Sequence, residues 1–537
     1  MSLSTRVRTG TFQPMMRVAI VLGIAIGLVQ SLKLVFHLWG ADSDVADPVL
    51  LWNGVHRYGL QFVTMWRYTQ DNWLLSLMPF DAVMFALFGD RPVVVVATGL
   101  LFFWAIVLLV GVLIGRERGG WIGAGAAMVL LFAGEPTIGN GGFLGYPVSH
   151  GISLVWGLIG LLLTVSYLDR RRPILLAGAG VCLFVAAVSD PWADAAFMIP
   201  MLLAALSLIV IGRADRRPLI AIVAMLLVVG LLVQTRLFGA LGFLPGVSHS
   251  VGTPSQMIEN AAFAARYIAV FFNILPGLLT VSGQTPATPA VTIDCVIFFA
   301  LVLLCLFRVI RNGSINTARC QFIAITALAS MFVMLAALIV TGFQQGMVTA
   351  RYLSNIFVFV PLLIAASPAG SGPNARFDRG ALLVLAGLFI TSGLVSDRVV
   401  WNNRTPTRAL NGIPQMAAFL AARHITFGYG PYWWTQANAT GWVTHGKLTI
   451  RPIDFNPSEG KFVPKPVQTL PNWYTKPAIA REPSRMALIL SPSPGDCGAA
   501  TTCLAAATAQ FGPPAQIVPY GPLTVLIYNH HLYLAPR

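Results

Sequence analysis

Three aspartates, Asp42, Asp44 and Asp47, crowd the stretch "HLWGADSDVADP", just past the end of a long apolar run. A carboxylate partly withdrawn from water has a raised pKa and can take a proton from a hydroxyl. Two or three carboxylates close together can instead hold a divalent cation, Mg or Mn, through oxygen ligands. A plainer reading stands beside these. Asp47 precedes Pro48 and is of the type that caps the start of a helix.

Arginine followed by tyrosine forms the second group: Arg57–Tyr58, Arg67–Tyr68, Arg266–Tyr267 and Arg351–Tyr352. Arginine binds phosphate through two parallel hydrogen bonds, and tyrosine favours the membrane–water boundary. The same pairs also serve as simple headgroup anchors. Asp71, in "YTQDNWLLSLMP", either caps the segment after it or meets a polar ligand. Glu135 precedes "PTIGNGGFLGYPVSH", whose glycines suit a tight turn. His150 has no His or Cys partner at metal-ligand spacing and reads as structural. Helix capping explains at least one of Asp190 and Asp194, in "SDPWAD". The aromatics of "FGYGPYWWTQANATGW" either stack on sugar rings or build a core. No Walker A loop, dinucleotide fingerprint, GxSxG elbow or zinc pattern is present in the sequence.

The elements that must position these residues are mostly membrane spans. Of 537 residues, 56% are hydrophobic and only 10% charged, with a mean hydropathy of +0.73. Soluble domains carry about a quarter charged residues, so the composition is that of a polytopic membrane protein. Apolar runs fall at 16–38, 92–114, 120–136, 150–168, 173–189, 194–212, 218–237, 291–310, 321–342, 352–368 and 380–396, which predicts about eleven spans. The net charge of +15 is not a nucleic-acid footprint, because the basic residues sit in short clusters between runs. "RERGG", "DRRRP", "RADRRP", "RVIRNG" and "NARFDRG" mark every second connection, as the positive-inside rule requires of cytoplasmic loops. The N-terminus is then expected inside the cell and the tail outside. The run 261–281 would invert that order, so it is expected to lie in the outer interface or to re-enter from that side.

The long first loop, 39–91, would face outward and hold interfacial helices. From residue 397 no run is long enough to span. "LTIRPIDF", "MALILS" and "PLTVLIY" read as strands of a small extracytoplasmic α/β domain over 397–537, after a transmembrane domain over 1–396. Cys497 and Cys503 sit together in that tail, where a disulfide is plausible if it lies outside the cell. The other four cysteines lie in or beside apolar runs and read as small hydrophobes.

This order of parts resembles the GT-C glycosyltransferase superfamily, which includes protein O-mannosyltransferases, lipid A aminoarabinose transferases and oligosaccharyltransferase catalytic subunits. Short pieces carry the resemblance. Asp44 stands fifteen residues before Gly59 in "DVADPVLLWNGVHRYG". "SLMPFDAVMFALFGDRP" leads into the second span, "ARYLSN" opens a late one, and "FGYGPYWWTQANATGWVTHGKLTIRPI" begins the tail. The Asp-Glu pair common in the superfamily is absent, since Val45 follows Asp44. The "WW" of 433–434 is not followed by Asp-Tyr-Gly, which disfavours protein N-glycosylation.

The resemblance implies a multi-pass enzyme of a bacterial inner membrane, with a periplasmic C-terminal domain. It would take a sugar from a polyprenyl-phosphate donor and pass it, with inversion, to a hydroxyl of a lipid, glycan or protein acceptor. Asp44, or else Asp47 or Asp42, is the expected base. Arg351, Tyr352, Arg266, Arg67, Asp71 and Glu135 are the expected substrate contacts. Three other readings remain: a transporter or flippase for a lipid-linked glycan, a non-catalytic component of an envelope polysaccharide system, and a glycan polymerase of a different fold.

Overall fold

The computed structural model describes residues 12–534 apart from 140, 213–214, 235–250, 280–287, 312–316, 343–345, 368–372, 399–409, 494–496 and 498–499. Its contacts divide the chain into two compact units. One, the helical unit, comprises Met1–His37, Ala97–Thr235 and Ser248–Pro406; the other, the sheet unit, comprises Leu38–Val96, Arg236–Val247 and Thr407–Arg537.

All eleven apolar runs contain helix. Among the described residues nine helices are long and apolar enough to cross a membrane. The runs at 120–136 and 173–189 give shorter helices, Gly120–Leu131 and Pro173–Ser189. The reason is local: Gly134 and Pro136 break the first run, and Asp190–Pro191 ends the second. Large apolar side chains such as Val210, Leu231, Leu303 and Leu383 lie exposed on the spanning helices. Exposed apolar rows of that length are suited to lipid rather than water. The run 261–281 becomes helix Pro254–Phe272, which is not among the nine, followed by the short turn Pro276–Leu279. A reciprocal capping box between Thr253 and Gln256 starts it. Of the four cysteines read as hydrophobes, Cys182, Cys295 and Cys305 are buried; Cys320 is half-buried and donates to Glu117 at 2.8 Å.

The sheet unit is built on six strands: β1 (Phe427–Pro431), β2 (Thr449–Asn456), β3 (Lys461–Pro464), β4 (Met486–Leu490), β5 (Gln516–Tyr520) and β6 (Leu523–Tyr528). Their order is β3-β2-β1-β4-β6-β5. β1 runs parallel to both β2 and β4, and the remaining pairs are antiparallel. Side chains alternate across the sheet, as the two-residue period of a strand dictates. Met486, Leu488 and Leu490 enter one apolar cluster with Phe427, Tyr429 and Leu526; Ala487 and Ile489 enter the other with Ile450, Val525 and Ile527. Helix Ala500–Phe511 covers the first face through Cys503 and Ala507, and helix Ile413–Ala421 covers the second through Met416 and Leu420. Cys497 and Cys503 form a disulfide with Cα atoms 5.6 Å apart.

The centre of this sheet leaves no room at Gly428. A Cβ there would stand 2.5 Å from the Ala487 carbonyl oxygen, which is backbone and cannot swing aside. Gly428→Ala is therefore expected to destabilise the sheet unit by about 1–3 kcal/mol, read as a lower melting midpoint by circular dichroism.

The first loop contributes to the same unit. Helix Ala46–Tyr58 ends at Gly59, whose φ of 76° places it in the left-handed region that glycine tolerates. Helices Gln61–Met65 and Met78–Phe88 follow. Leu51, Phe62, Trp66 and Tyr68 pack in one cluster with Leu470, and the Trp66 and Trp473 rings meet nearly edge to face at 5.8 Å. Ala46 packs with Ile413 and Ala439.

Candidate functional site

β1 is the strand at which the chain connection changes sides. The chain leaves it for β2 on one side and later returns to β4 on the other. In open α/β sheets the crevice beyond the carboxyl end of such a strand is where ligands bind. The residue that follows β1 is Tyr432, and the aspartate turn of the first loop is fastened at that point. Ser43 donates its hydroxyl to the Tyr432 carbonyl at 2.7 Å and its N–H to Gln436 Oε1 at 3.0 Å. Asn411 donates to the Ala41 carbonyl at 2.8 Å.

The three aspartates occupy distinct surroundings. Asp42 Oδ1 accepts the Val45 N–H at 2.9 Å and closes the turn that leads into helix Ala46–Tyr58. The capping role read for Asp47 is not seen: the helix begins one residue ahead of Asp47, buries it in the first turn and has no side-chain cap. Asp44 is half-buried. Its Oδ1 accepts from the Tyr432 hydroxyl at 2.8 Å and from Gln468 Nε2 at 2.7 Å. Asp47 is only 9% exposed. Its Oδ1 accepts from Asn438 Nδ2 at 2.8 Å, and its Oδ2 from the same Gln468 Nε2 at 2.9 Å. One amide therefore bridges two carboxylates, and Asn438 also donates to the Gln468 carbonyl at 2.9 Å.

Burial holds the Asp47 carboxyl well above the usual carboxylate range, and the Asp44 charge pushes it further up. The Asn438 and Gln468 hydrogen bonds and the Lys465 ammonium pull the other way. The sign of the stability effect follows. Between the ordinary carboxylate pKa and the raised folded one, the folded chain holds a proton that the unfolded chain has lost. Stability contributed by that proton is present at low pH and declines as pH rises through the folded pKa. The melting midpoint of the wild type is expected to fall over that window, and Asp47→Asn to remove that part of the slope. An unchanged slope in the variant would contradict the assignment.

Arg67 is tied to the same place through its backbone. Its N–H donates to the Thr469 carbonyl at 3.0 Å, and its carbonyl accepts the Gln468 N–H at 2.6 Å. Gln468 itself has a φ of 58°. The aromatics of "FGYGPYWWTQANATGW" divide: Phe427 and Tyr429 are core, Tyr432 is buried with its hydroxyl on Asp44, and Trp433 and Trp434 are 53% and 44% exposed. Asp71 is half-buried and does not cap the segment after it: helix Met78–Phe88 has no side-chain cap, and Asn72 Oδ1 accepts the Leu74 N–H at 3.0 Å in the turn before it.

The helical unit holds the remaining candidates. Arg351 and Tyr352 lie on the short helix Met347–Leu353. The Arg351 guanidinium stands 5.7 Å from the Phe143 ring centre and 5.5 Å from that of Tyr352. Tyr352 packs on His150 at 5.0 Å, and its carbonyl accepts Trp192 Nε1 at 2.8 Å. His150 is buried with Nδ1 2.7 Å from Asp190 Oδ2, and Trp192 stacks on its ring. The sequence carried no signal for this His–Asp pair, whose members are forty positions apart. Asp190 also accepts the Trp192 N–H at 3.0 Å, the capping role expected in "SDPWAD". Arg266 is exposed on helix Pro254–Phe272, over the Phe263 ring. Glu135 begins a short helical turn, its N–H on Asp397 Oδ1 at 2.8 Å.

Among the described residues, no group of three or more His, Cys, Asp or Glu is arranged to hold a metal ion. Asn438 and Gln468 present N–H donors to the carboxylates, and a cation between Asp44 and Asp47 would require those amides to turn their oxygens inward.

Together the apolar helices and the six-stranded unit define a multi-pass membrane protein with an attached α/β unit. No protein-family model matches the chain, and no curated protein matches it. Among solved structures it is similar to ArnT from Cupriavidus metallidurans in the apo state, with a TM-score of 0.41 and 12% identity over 96% of this chain and 99% of that one.

Proposed function

We propose that the protein is an integral-membrane glycosyltransferase of the GT-C type. It would move a sugar from a polyprenyl-phosphate donor to an acceptor hydroxyl at the periplasmic face. The observation that supports the reading best is the carboxylate pair. Asp44 and Asp47 share one amide donor, and only Asp44 is accessible enough to meet a substrate. Environments that separate two neighbouring carboxyl groups commonly mark an acid/base assignment. Asp47, buried and favouring its proton, relieves the like charge beside Asp44.

In this reading Asp44 accepts the proton of the acceptor hydroxyl as that oxygen bonds to the anomeric carbon. The bond from that carbon to the phosphate oxygen breaks, and its electron pair leaves on the phosphate. Attack comes from the face opposite the phosphate, which inverts the centre; this stereochemistry follows from the sequence resemblance. Tyr432 and Gln468 aim the carboxylate. Arg351 is assigned to the departing phosphate, where a fixed cation stabilises developing charge. Arg266 and Glu135 are further contacts proposed on the helical unit, Asp71 on the sheet unit. The disulfide is consistent with a sheet unit outside the reducing cytoplasm.

The test supplies membranes containing the chain with polyprenyl-phosphate sugars labelled in the sugar, and follows donor loss and product formation. Turnover that requires Asp44 supports the assignment. Absence of turnover with every donor, from a folded chain, defeats it.

A further inference from the structure

The sheet unit bears a half-open cavity of about 550 Å³, within the range of small-ligand sites. Arg67, Lys465 and Lys476 line it, with the rings of Tyr474 and Tyr533. No acidic residue is among its described lining, and none of these three cations forms an ion pair with a carboxylate among the described residues. Three like charges gathered in a concave site repel one another and raise the local potential for anions. Such an arrangement is stabilised when an anion enters and accepts charge-assisted hydrogen bonds.

We propose that this cavity is the acceptor subsite of the transferase and that it takes an acidic saccharide, a sugar bearing a phosphate or a carboxylate. The inference rests on the glycosyl-transfer reading and adds to it the class of acceptor. Three observations carry it. The cavity is joined to the aspartates, since Lys465 is close enough to act on the Asp47 charge and the Arg67 backbone pairs with Gln468 and Thr469. Its cations match an acidic group. Its walls include aromatic rings: Tyr533 is 42% exposed, and Tyr474 is nearly buried, its hydroxyl donating to the Pro452 carbonyl at 2.5 Å. Aromatic walls and a few placed polar groups are the usual composition of an orienting pocket. Arg67 is thereby assigned to the acceptor, and the donor phosphate is left to Arg351.

The experiment uses the full-length chain in lipid nanodiscs and calorimetric titration, which needs no turnover. The probes are glucose, glucose 6-phosphate, glucuronic acid and inorganic phosphate. Both acidic sugars are expected to bind at least about tenfold tighter than glucose, with affinity falling as salt rises. Lys476→Gln, at an exposed position, and Arg67→Gln are each expected to erase most of that preference at an unchanged melting midpoint. The tighter of the two acids identifies the acidic group. Asp44→Asn is expected to keep the binding while losing transfer. Retained binding preference in a wild-type chain that transfers no sugar would uphold the subsite and defeat the transferase reading. Equal binding of glucose and the acids, indifference to both substitutions, or inorganic phosphate binding as tightly as glucose 6-phosphate would overturn the subsite.

Discussion

Asp44→Asn is expected to slow sugar transfer by about a thousandfold, the middle to upper range for loss of a general base. The substitution is nearly silent in shape. An asparagine oxygen can still accept from the Tyr432 hydroxyl and the Gln468 amide that hold Asp44 Oδ1. What disappears is the capacity to take a proton. Donor binding should persist, so the loss should fall on kcat rather than KM. Asp42→Ala provides the contrast. It removes the acceptor for the Val45 N–H and is expected to cost about 1 kcal/mol of stability, the net worth of a typical hydrogen bond, with transfer within a few-fold of wild type. Single-turnover rates on labelled donor separate the two. A transfer rate for Asp44→Asn within about threefold of wild type, less than one pKa unit in free energy, would remove Asp44 from the chemistry.

Gln468→Met is expected to reduce transfer by about a hundredfold, the scale of a misplaced reacting group. The side chain keeps its length and loses its amide. Asp44 and Asp47 then lose the donor between them, while Asp47 remains buried. An unsatisfied buried acceptor costs about 1–3 kcal/mol, so the melting midpoint should drop as well. Like-charge repulsion grows without the bridge, so Asp47 should favour its proton still more. Gln468→Glu should be worse than Met at neutral pH, because it brings a third carboxylate to the pair. Lowering the pH should recover part of its folding stability, since protonation relieves the repulsion. Normal transfer and normal melting in Gln468→Met would mean that the amide bridge does not organise the site.

Local chemistry made much of this molecule legible in its sequence. The apolar runs are helices because lipid-length apolarity admits little else. Gly59 suits the end of its helix, because backbone at positive φ favours glycine. β2 holds branched and aromatic residues, and β4 and β6 are short apolar runs of strand length. β1, the strand on which the site is built, did not stand out. "FGYGP" holds two glycines and a proline and reads as loop, and pairing on both sides by β2 and β4 imposes the strand. β3 is four residues long, and β5 contains Pro519, so neither shows a clean period.

The aspartates were visible as a group, but their separate duties were not. Asp42 closes the turn, Asp44 is half-buried and Asp47 is buried. That division depends on Tyr432, Asn438 and Gln468, which lie 388, 391 and 424 positions away from the carboxylates they hold. Nothing in "PVQTLPN" marks Gln468 as the residue that joins them. Long-range partners of this kind leave no local spacing to read.

The same separation has a consequence in time. The turn bearing Asp44 and Asp47 leaves the ribosome 391 positions ahead of Asn438. At the usual elongation rates of about 5–20 residues per second, that is a wait of roughly 20–80 s. During it both carboxylates are without the hydroxyl and amides that will hold them. A chain cut short by a nonsense codon between residue 397 and Tyr432 would carry its apolar helices and still lack the assembled pair. Competence thus arrives late in synthesis, once the last quarter of the polypeptide has found a loop laid down near its beginning.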